Sequence, residues 1–540
     1  MENLQIPIKD DIERPEILEL LLKRVQGLKN KYRQNMAIVG PQSLGKTSLI
    51  FSLLRHCNDN TIIPIYICLK PKSLEVFAKN FMGILLYQFL KSIDAKMEDN
   101  LEFLLEKSKP KIPKTVRAIN QINKAIKEAA PKDEIFSQLL ELTQFLYDET
   151  KKPILLILDE FQNLDNFELE KPYLELSNKI MVQKNTMYIM VSSATHQAHN
   201  ILNKKLSLLF GNFEIVNMQP LNNKTAASFM DKRIGAVKIS DDLKKFLIYL
   251  TGGYPFYLSI ITEQIRSLCH EGKIDSVTDD IVISSLEETL HKSHGILNQH
   301  FNNKYHSLLN TNHNNLYPPI LLSLASGIKK PTQIGKYINR KTTEINRHIN
   351  KLFQWDVTTK RGVFNSINDP LFSHWLKLVL CPQQNSFNMD LNIASNEFTQ
   401  AIEQLMLEFN LESKKKISIR LKELFEKFEN DIVELDKKRF MLTHFDEIVI
   451  KESNGLSQVF AKRLKKIWFC AIEEGFIDEA KIGIYLEHAK RKDCIKKILI
   501  ALDGIDPNAR LKALEAKVWI WDQNTVNDLL TLFEKPRVFK

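Results

Sequence analysis

Glycine is scarce in this chain, at 17 of 540 residues, so few places allow the backbone the left-handed turns that glycine makes cheap. That scarcity rules out Gly-rich linkers and collagen-like repeats, and it lends weight to any point where glycines gather. Cysteine is sparse and scattered: Cys57, Cys68, Cys269, Cys381, Cys470 and Cys494 show no C-x-x-C and no pairing rhythm. Clustered thiolates of the kind zinc needs are therefore missing, and reduced, buried thiols are expected rather than a disulfide framework. No run approaches the ~20 apolar residues of a membrane span, and the opening MENLQIPIKDDIERPE has no apolar leader core. Together these absences predict a cytoplasmic protein with no membrane partner.

What is present is an ordinary globular composition, 44% hydrophobic and 26% charged, with a basic balance of +10 and a pI of about 9.0. The basic balance points toward a polyanion such as nucleic acid, although a Lys-rich surface can carry it simply as solvated charge. The length calls for several cores. The pattern predicts a core at 1–220, a helical lid at 221–300, a three-helix-plus-hairpin module at 301–380 and an α/β domain at 381–540.

Short apolar runs alternate with helical patterns in the first part. The runs are Met36–Val39, Thr61–Cys68, Pro153–Leu158, Met187–Val191 and Phe213–Val216, and a Lys-rich helical insertion broken by Pro110, Pro113 and Pro131 precedes the third. Continuous apolar strands between helices predict a parallel sheet covered on both faces. Right-handed crossovers then put every strand end on one rim, where α/β proteins bind ligands. Helices follow at Thr225–Ile234, Ser240–Leu250 and Pro255–His270. Three shorter ones near Pro318–Ala325, Thr332–Ile338 and Thr342–Phe353 lead into a hairpin at Val357–Phe364. Beyond residue 390, strands at Glu447–Ile450, Ile467–Ala471, Lys497–Leu502 and Val518–Trp521 alternate with helices.

Gly40-Pro41-Gln42-Ser43-Leu44-Gly45-Lys46-Thr47, followed by Ser48, fits G-x-x-x-x-G-K-[ST] between a strand and a helix. The glycines let backbone N–H groups form a concave nest for phosphates, and the helix start points its positive end at the same anion. Lys46 can neutralise β/γ oxygens and Thr47 can ligate Mg2+. Asp159 follows a wholly apolar strand, the place of an acid that holds Mg2+ through water, with Glu160 placed to activate the attacking water. Without the phosphate loop, Asp-Glu at that point would be a helix cap. Ser192 and Ser193 end the next strand, where a hydroxyl either bonds the γ-phosphate or lytic water or merely caps the strand. The expected ligands are ATP and Mg2+.

These residues resemble the archaeal-type ATPases of the STAND class, relatives of AAA+ and origin-recognition ATPases. The resemblance covers roughly residues 10–270 and rests on Ile12-Glu13-Arg14-Pro15-Glu16, Asn35 through Ser48, Ile157–Gln162, Val191-Ser192-Ser193, Met218-Gln219-Pro220-Leu221 and Gly252-Gly253-Tyr254-Pro255-Phe256-Tyr257-Leu258. It implies that Arg14 and Glu16 lie near an adenine pocket and that Pro255 sits in a nucleotide-sensing lid. Glu13 stands where the family has glycine, and Ser192-Ser193 where it has Gly-Ser. Arg233 is a candidate arginine finger, against the simpler reading of a solvated helix residue.

Tyr317–Trp375 resembles the winged-helix module that follows many such ATPases, closing on Asn368–Trp375. A DNA-reading winged helix would present Lys341, Thr343, Asn346, Arg347 and Asn350 to the major groove and Lys360 and Arg361 to the backbone. In STAND proteins the same module packs on the ATPase instead, and both readings stay open. The C-terminal segment weakly resembles restriction-nuclease-like domains. Glu473 is followed by Glu474 and Gly475 with no E-x-K lysine, which implies a degenerate, non-cleaving domain; Lys490-Arg491-Lys492 and Lys496-Lys497 are a phosphate-binding face or a solvated one. The expected function is an ATP-hydrolysing switch acting on double-stranded DNA. The alternative is a regulatory or defence sensor that oligomerises with ATP and answers to a protein partner.

Overall fold

The computed structural model describes residues 14–57, 60–70, 73–206, 211–309, 316–385, 391–435, 438–453, 456–473, 475–488 and 494–538. The chain divides into two compact units. One is residues up to Leu221 with Tyr254–Phe256 and Gln354–Asp356; the other is Asn222–Gly253, Tyr257–Phe353 and Val357–Lys540.

In the first unit five strands form one parallel sheet: β1 Asn35–Val39, β2 Ile63–Cys68, β3 Ile154–Asp159, β4 Thr186–Ser192 and β5 Phe213–Asn217. Their order across the sheet is β2-β3-β4-β1-β5. The inner strands β1, β3 and β4 are buried at every position, which is why they read as unbroken apolar runs. The helix Pro15–Lys29 precedes β1, and helices Lys46–His56, Leu74–Lys91 and Pro172–Val182 lie between the strands. The insertion folds as Leu101–Ser108, Pro113–Lys127 and Lys132–Thr150, and its apolar residues Val116, Ile119, Phe136 and Leu139 join the same core as Ile65 and Leu156.

The second unit begins with helices Asn223–Ile234, Asp241–Thr251 and Pro255–Gly272. Three helices, Tyr317–Ala325, Pro331–Tyr337 and Thr342–Gln354, precede the hairpin β6 Thr358–Arg361 with β7 Phe364–Ile367. The helix Pro255–Gly272 and residues 298–304 are tied to the segment after the hairpin by side-chain hydrogen bonds. Asp369 accepts hydrogen bonds from Tyr257 (2.6 Å) and Lys304 (2.8 Å), and the Trp375 indole donates to Asn298 (3.1 Å).

A second hairpin, β8 Asp431–Leu435 with β9 Lys438–Leu442, was not foreseen. The final sheet is β10 Glu447–Ser453, β11 Leu456–Arg463, β12 Lys466–Glu473, β13 Cys494–Ala501 and β14 Val518–Asp522. Its order is sequential, with β10-β11-β12 antiparallel and β12-β13-β14 parallel. Helices Glu479–His488, Pro507–Glu515 and Gln523–Leu532 complete it.

Candidate functional site

The polar strand ends gather on one rim because β4 lies between β1 and β3. Asp159 is level with Cys68 on one side and Val191 on the other. The Gly40 N–H donates to the Ser192 carbonyl at 3.3 Å, which ties the phosphate loop to the end of β4.

Two positions in the loop carry the left-handed backbone that shapes it, Ser43 (φ 67°) and Gly45 (φ 82°). Gly40 is needed for closeness instead: a Cβ there would lie 2.7 Å from the Met218 carbonyl oxygen. Leu44 is fully buried, whereas Pro41, Gln42 and Ser43 keep some exposure, so the loop is pinned by one apolar anchor. Thr47 faces solvent and Ser48 is half-buried at the start of the helix Lys46–His56.

Lys46 is only 6% exposed. Its ammonium donates to the carbonyls of Gly40 (2.7 Å) and Pro41 (2.6 Å). Burial lowers its pKa to about 8, with the charges of Glu160 and Asp159 acting the other way. Asp159 is buried as well; burial pushes its carboxyl up, and the hydroxyl of Tyr66 opposes that by donating to Oδ2 at 2.8 Å. Thr47 Oγ1 lies 3.3 Å from the same oxygen. Hydroxyl and carboxylate oxygens at that spacing are the hard donors Mg2+ prefers.

Glu160 has φ 55° and ψ 45°, a left-handed conformation costly for a residue with a Cβ. Its side chain is held in return. Oε2 accepts from the Ser193 N–H (3.0 Å), the Ser193 hydroxyl (2.7 Å) and the Gln162 amide (2.6 Å). Gln162 in turn accepts from the Ser192 hydroxyl at 2.6 Å. Tyr66 and Gln162 were not singled out as site residues from the sequence. Tyr66 was findable as the polar ring two positions before the end of the strand next to β3, and Gln162 as the amide two residues beyond Glu160.

The Pro255 segment meets the loop: the Phe256 N–H donates to the Ser43 carbonyl at 3.4 Å. Arg14 donates to the Gln219 carbonyl at 2.5 Å, and burial lowers its pKa. Glu13, Glu474 and Lys490–Lys492 lie outside the described residues. Arg233 lies over the Phe229 ring at 4.8 Å on its own helix.

On the helix Thr342–Gln354, Ile345, His348, Ile349 and Leu352 are buried. Lys341, Thr343, Arg347 and Asn350 are exposed and Asn346 is half-buried. The hairpin corrects one expectation. Lys360 is exposed, but Arg361 is paired with Asp528 at 2.7 Å rather than free for a phosphate. The neighbouring Gly362, with φ 69° and no Cβ, lets the Ile432 carbonyl approach to a point 2.1 Å from where a Cβ would stand, while the Val363 N–H donates to that carbonyl at 3.0 Å.

Lys496 also departs from expectation. Its ammonium sits over the rings of Trp468 (4.0 Å) and Trp519 (4.4 Å), and burial lowers its pKa to about 8, so it does not belong to an outward phosphate face. Glu473 at the end of β12 is met by Lys481, 3.3 Å away, from the following helix. Among the described residues no group of three or more His, Cys, Asp or Glu is placed to hold a metal ion.

Residues 19–261 match a family described as an ATPase domain predominantly from Archaea. No curated protein matches the chain. Among solved structures it is similar to a Walker-type ATPase of Pyrococcus abyssi (15% identity, TM-score 0.49, covering 68% of this chain and 96% of that one). It is also similar to the ORC2 protein of Aeropyrum pernix in ADPNP–ADP complexes (12%, 0.44, 75% and 98%) and to the ORC1 protein of the same organism in complex with DNA (10%, 0.39, 69% and 94%). The phosphate loop, the buried acid at the end of β3 and the family match over residues 19–261 agree, and the protein is an ATPase.

Proposed function

We propose that the protein is an ATP-driven switch whose nucleotide state is coupled to double-stranded DNA. The observation that carries the reading is the convergence of Lys46, Thr47, Asp159, Glu160 and Ser193 on one rim. Lys46 turns from the Gly40 and Pro41 carbonyls to the β/γ oxygens. Thr47 and Asp159 would hold Mg2+, which when bound would supply positive charge against the phosphate oxygens. Glu160 takes the proton of the attacking water, and its three hydrogen bonds from Ser193 and Gln162 fix the carboxylate until water and phosphate are in place. Phosphoryl transfer asks for positioning and electrostatics above all, so a small rigid set suffices. Pro255 and Arg14 border the loop and the Gln219 segment, as a nucleotide-sensing lid and base pocket require.

DNA enters through two features. The net charge is +10, and the helix Thr342–Gln354 turns its apolar side inward while Thr343 and Arg347 on it and Lys341 just before it are exposed, with Asn346 half-buried beside them. Arg and Asn can read purine edges. The winged-helix assignment of Tyr317–Trp375 belongs to this reading, as does a degenerate, non-cleaving C-terminal domain.

One observation favours a second reading. The hairpin packs on β8 through Gly362 and pairs Arg361 with Asp528, as in a sensor whose modules lock one another and respond to a protein partner by ATP-dependent assembly. Steady-state ATP turnover with and without duplex DNA, using Lys46→Ala as the blank, separates the two. Stimulation by the duplex supports the first. Turnover indifferent to DNA, with assembly on ATP, supports the second.

A further inference from the structure

The insertion of the first unit carries a feature that the nucleotide site does not use. From Lys107 to Lys127 the sequence holds seven cations and no Asp or Glu, against a net +10 for all 540 residues. Folding sorts this segment strictly. In the helix Pro113–Lys127, Thr115, Val116, Ile119 and Ile122 are buried, and Val116, Ile119 and Ile122 belong to the core of the sheet. Lys114, Arg117, Lys124 and Lys127 are all exposed, with Asn120 and Gln121 between them, and Lys109 and Lys111 lead into the same end.

The spacing 114, 117, 121, 124 follows one face of a 3.6-residue helix. From Lys114 to Lys127 it runs about 20 Å at 1.5 Å per residue. Carboxylates compete little. Glu149 is occupied at the first turn, accepting from the N–H groups of Lys114 and Thr115, and Glu128 sits 3.7 Å from Lys124 with both side chains open to water. A solvated pair of that kind contributes little and yields to a better anion.

A positive stripe with its apolar face already buried cannot insert into a lipid surface, which needs that face free. A straight row of cations and amides matches instead a regular row of phosphates, one per 3.4 Å of duplex axis on each strand.

We infer that the outward face of Pro113–Lys127 is a docking surface for the sugar–phosphate backbone of a nucleic-acid duplex, separate from the helix Thr342–Gln354. The proposal shares the DNA reading above for the identity of the polyanion but assigns it to different residues. The insertion's last helix, Lys132–Thr150, runs directly into β3 and so toward Asp159, which gives a bound duplex a short covalent route to the nucleotide site.

The test is anisotropy of a fluorescent duplex titrated with full-length protein over a salt series. The wild type is compared with Lys114→Glu/Arg117→Glu/Lys124→Glu and with Lys341→Glu/Arg347→Glu; circular dichroism and thermal unfolding confirm that the variants fold, and Lys114→Gln/Arg117→Gln/Lys124→Gln serves as the milder form. The stripe variant is expected to bind at least about tenfold more weakly at moderate salt, with the log–log salt slope reduced by up to roughly 0.9 for each phosphate no longer neutralised. Unchanged affinity and slope in the stripe variant, with weakening confined to Lys341→Glu/Arg347→Glu, overturns this surface and leaves the DNA reading standing. A wild type that binds poly-glutamate or anionic vesicles but no duplex overturns both.

Discussion

At the scale of single residues, Lys46 sets the most direct prediction. Its pKa of about 8 in the free protein comes from burial, and a bound polyphosphate requires the charged form. Binding therefore takes up a proton once the pH passes 8, and ATP affinity should fall toward tenfold per pH unit above that point. Isothermal titration between pH 7 and 9.5 measures it. Lys46→Arg keeps a charge across this range, so any binding it retains should lack the alkaline decline. Glu160 makes a separate prediction: Glu160→Gln should bind ATP with near-normal affinity while turnover falls by about 100-fold or more. Ser193→Ala removes one hydrogen bond to Glu160 and should lower kcat with little change in KM. Unchanged turnover in Glu160→Gln would remove that residue from the role of base.

At the scale of elements, legibility followed burial. β1, β3 and β4 were plain in the sequence because both their faces are covered, so every side chain is apolar and the first polar residue marks the rim. Asp159 was legible for the same reason, and the phosphate loop by the residue types and spacing of Gly40 to Thr47. The hairpin β8–β9 was not, since Ile432 and Met441 are about half exposed while Val433, Leu435 and Leu442 point inward, which blurs the alternation a strand normally writes. Nor could any local pattern announce that Gly362 lies under the Ile432 carbonyl, because the partner is some 70 positions away. Tyr66 escaped because its bond to Asp159 depends on strand order, and Gln162 because its tie to Ser192 does, although its bond to Glu160 is local. That hairpin contact carries its own prediction. Gly362→Ala meets both the left-handed penalty, about 1–2 kcal/mol, and a steric collision. It should cost at least about 2 kcal/mol in urea unfolding. Arg361→Ala removes only a half-exposed ion pair, worth about 1 kcal/mol or less. The reverse ranking would show that the ion pair, not the close approach, holds the hairpin.

At the scale of the whole molecule, Lys329 shows how one buried charge couples distant segments. Its ammonium donates to the carbonyls of Thr531 (2.8 Å) and Leu532 (2.9 Å), closing the last turn of the helix Gln523–Leu532, with Glu534 at 4.0 Å. Burial nonetheless dominates and lowers its pKa to about 8 from the usual value of 10.5. Below pH 8 the group is charged in both folded and unfolded chains. Between about 8 and 10.5 the unfolded chain keeps its proton while the folded chain gives it up, so this lysine makes stability rise with pH over that window. Buried thiols act in the opposite sense: Cys68 is pushed up to about 11 and Cys470 is also raised, so their contribution falls as the unfolded thiols ionise. The wild-type curve mixes these opposed slopes, and only a difference isolates one of them. The stability of the wild type minus that of Lys329→Met should therefore increase steadily from pH 8 to 9.5 in urea denaturation, whatever its sign at pH 7. A difference that stays flat across that interval would mean Lys329 remains charged in the fold, its carbonyl partners outweighing its burial.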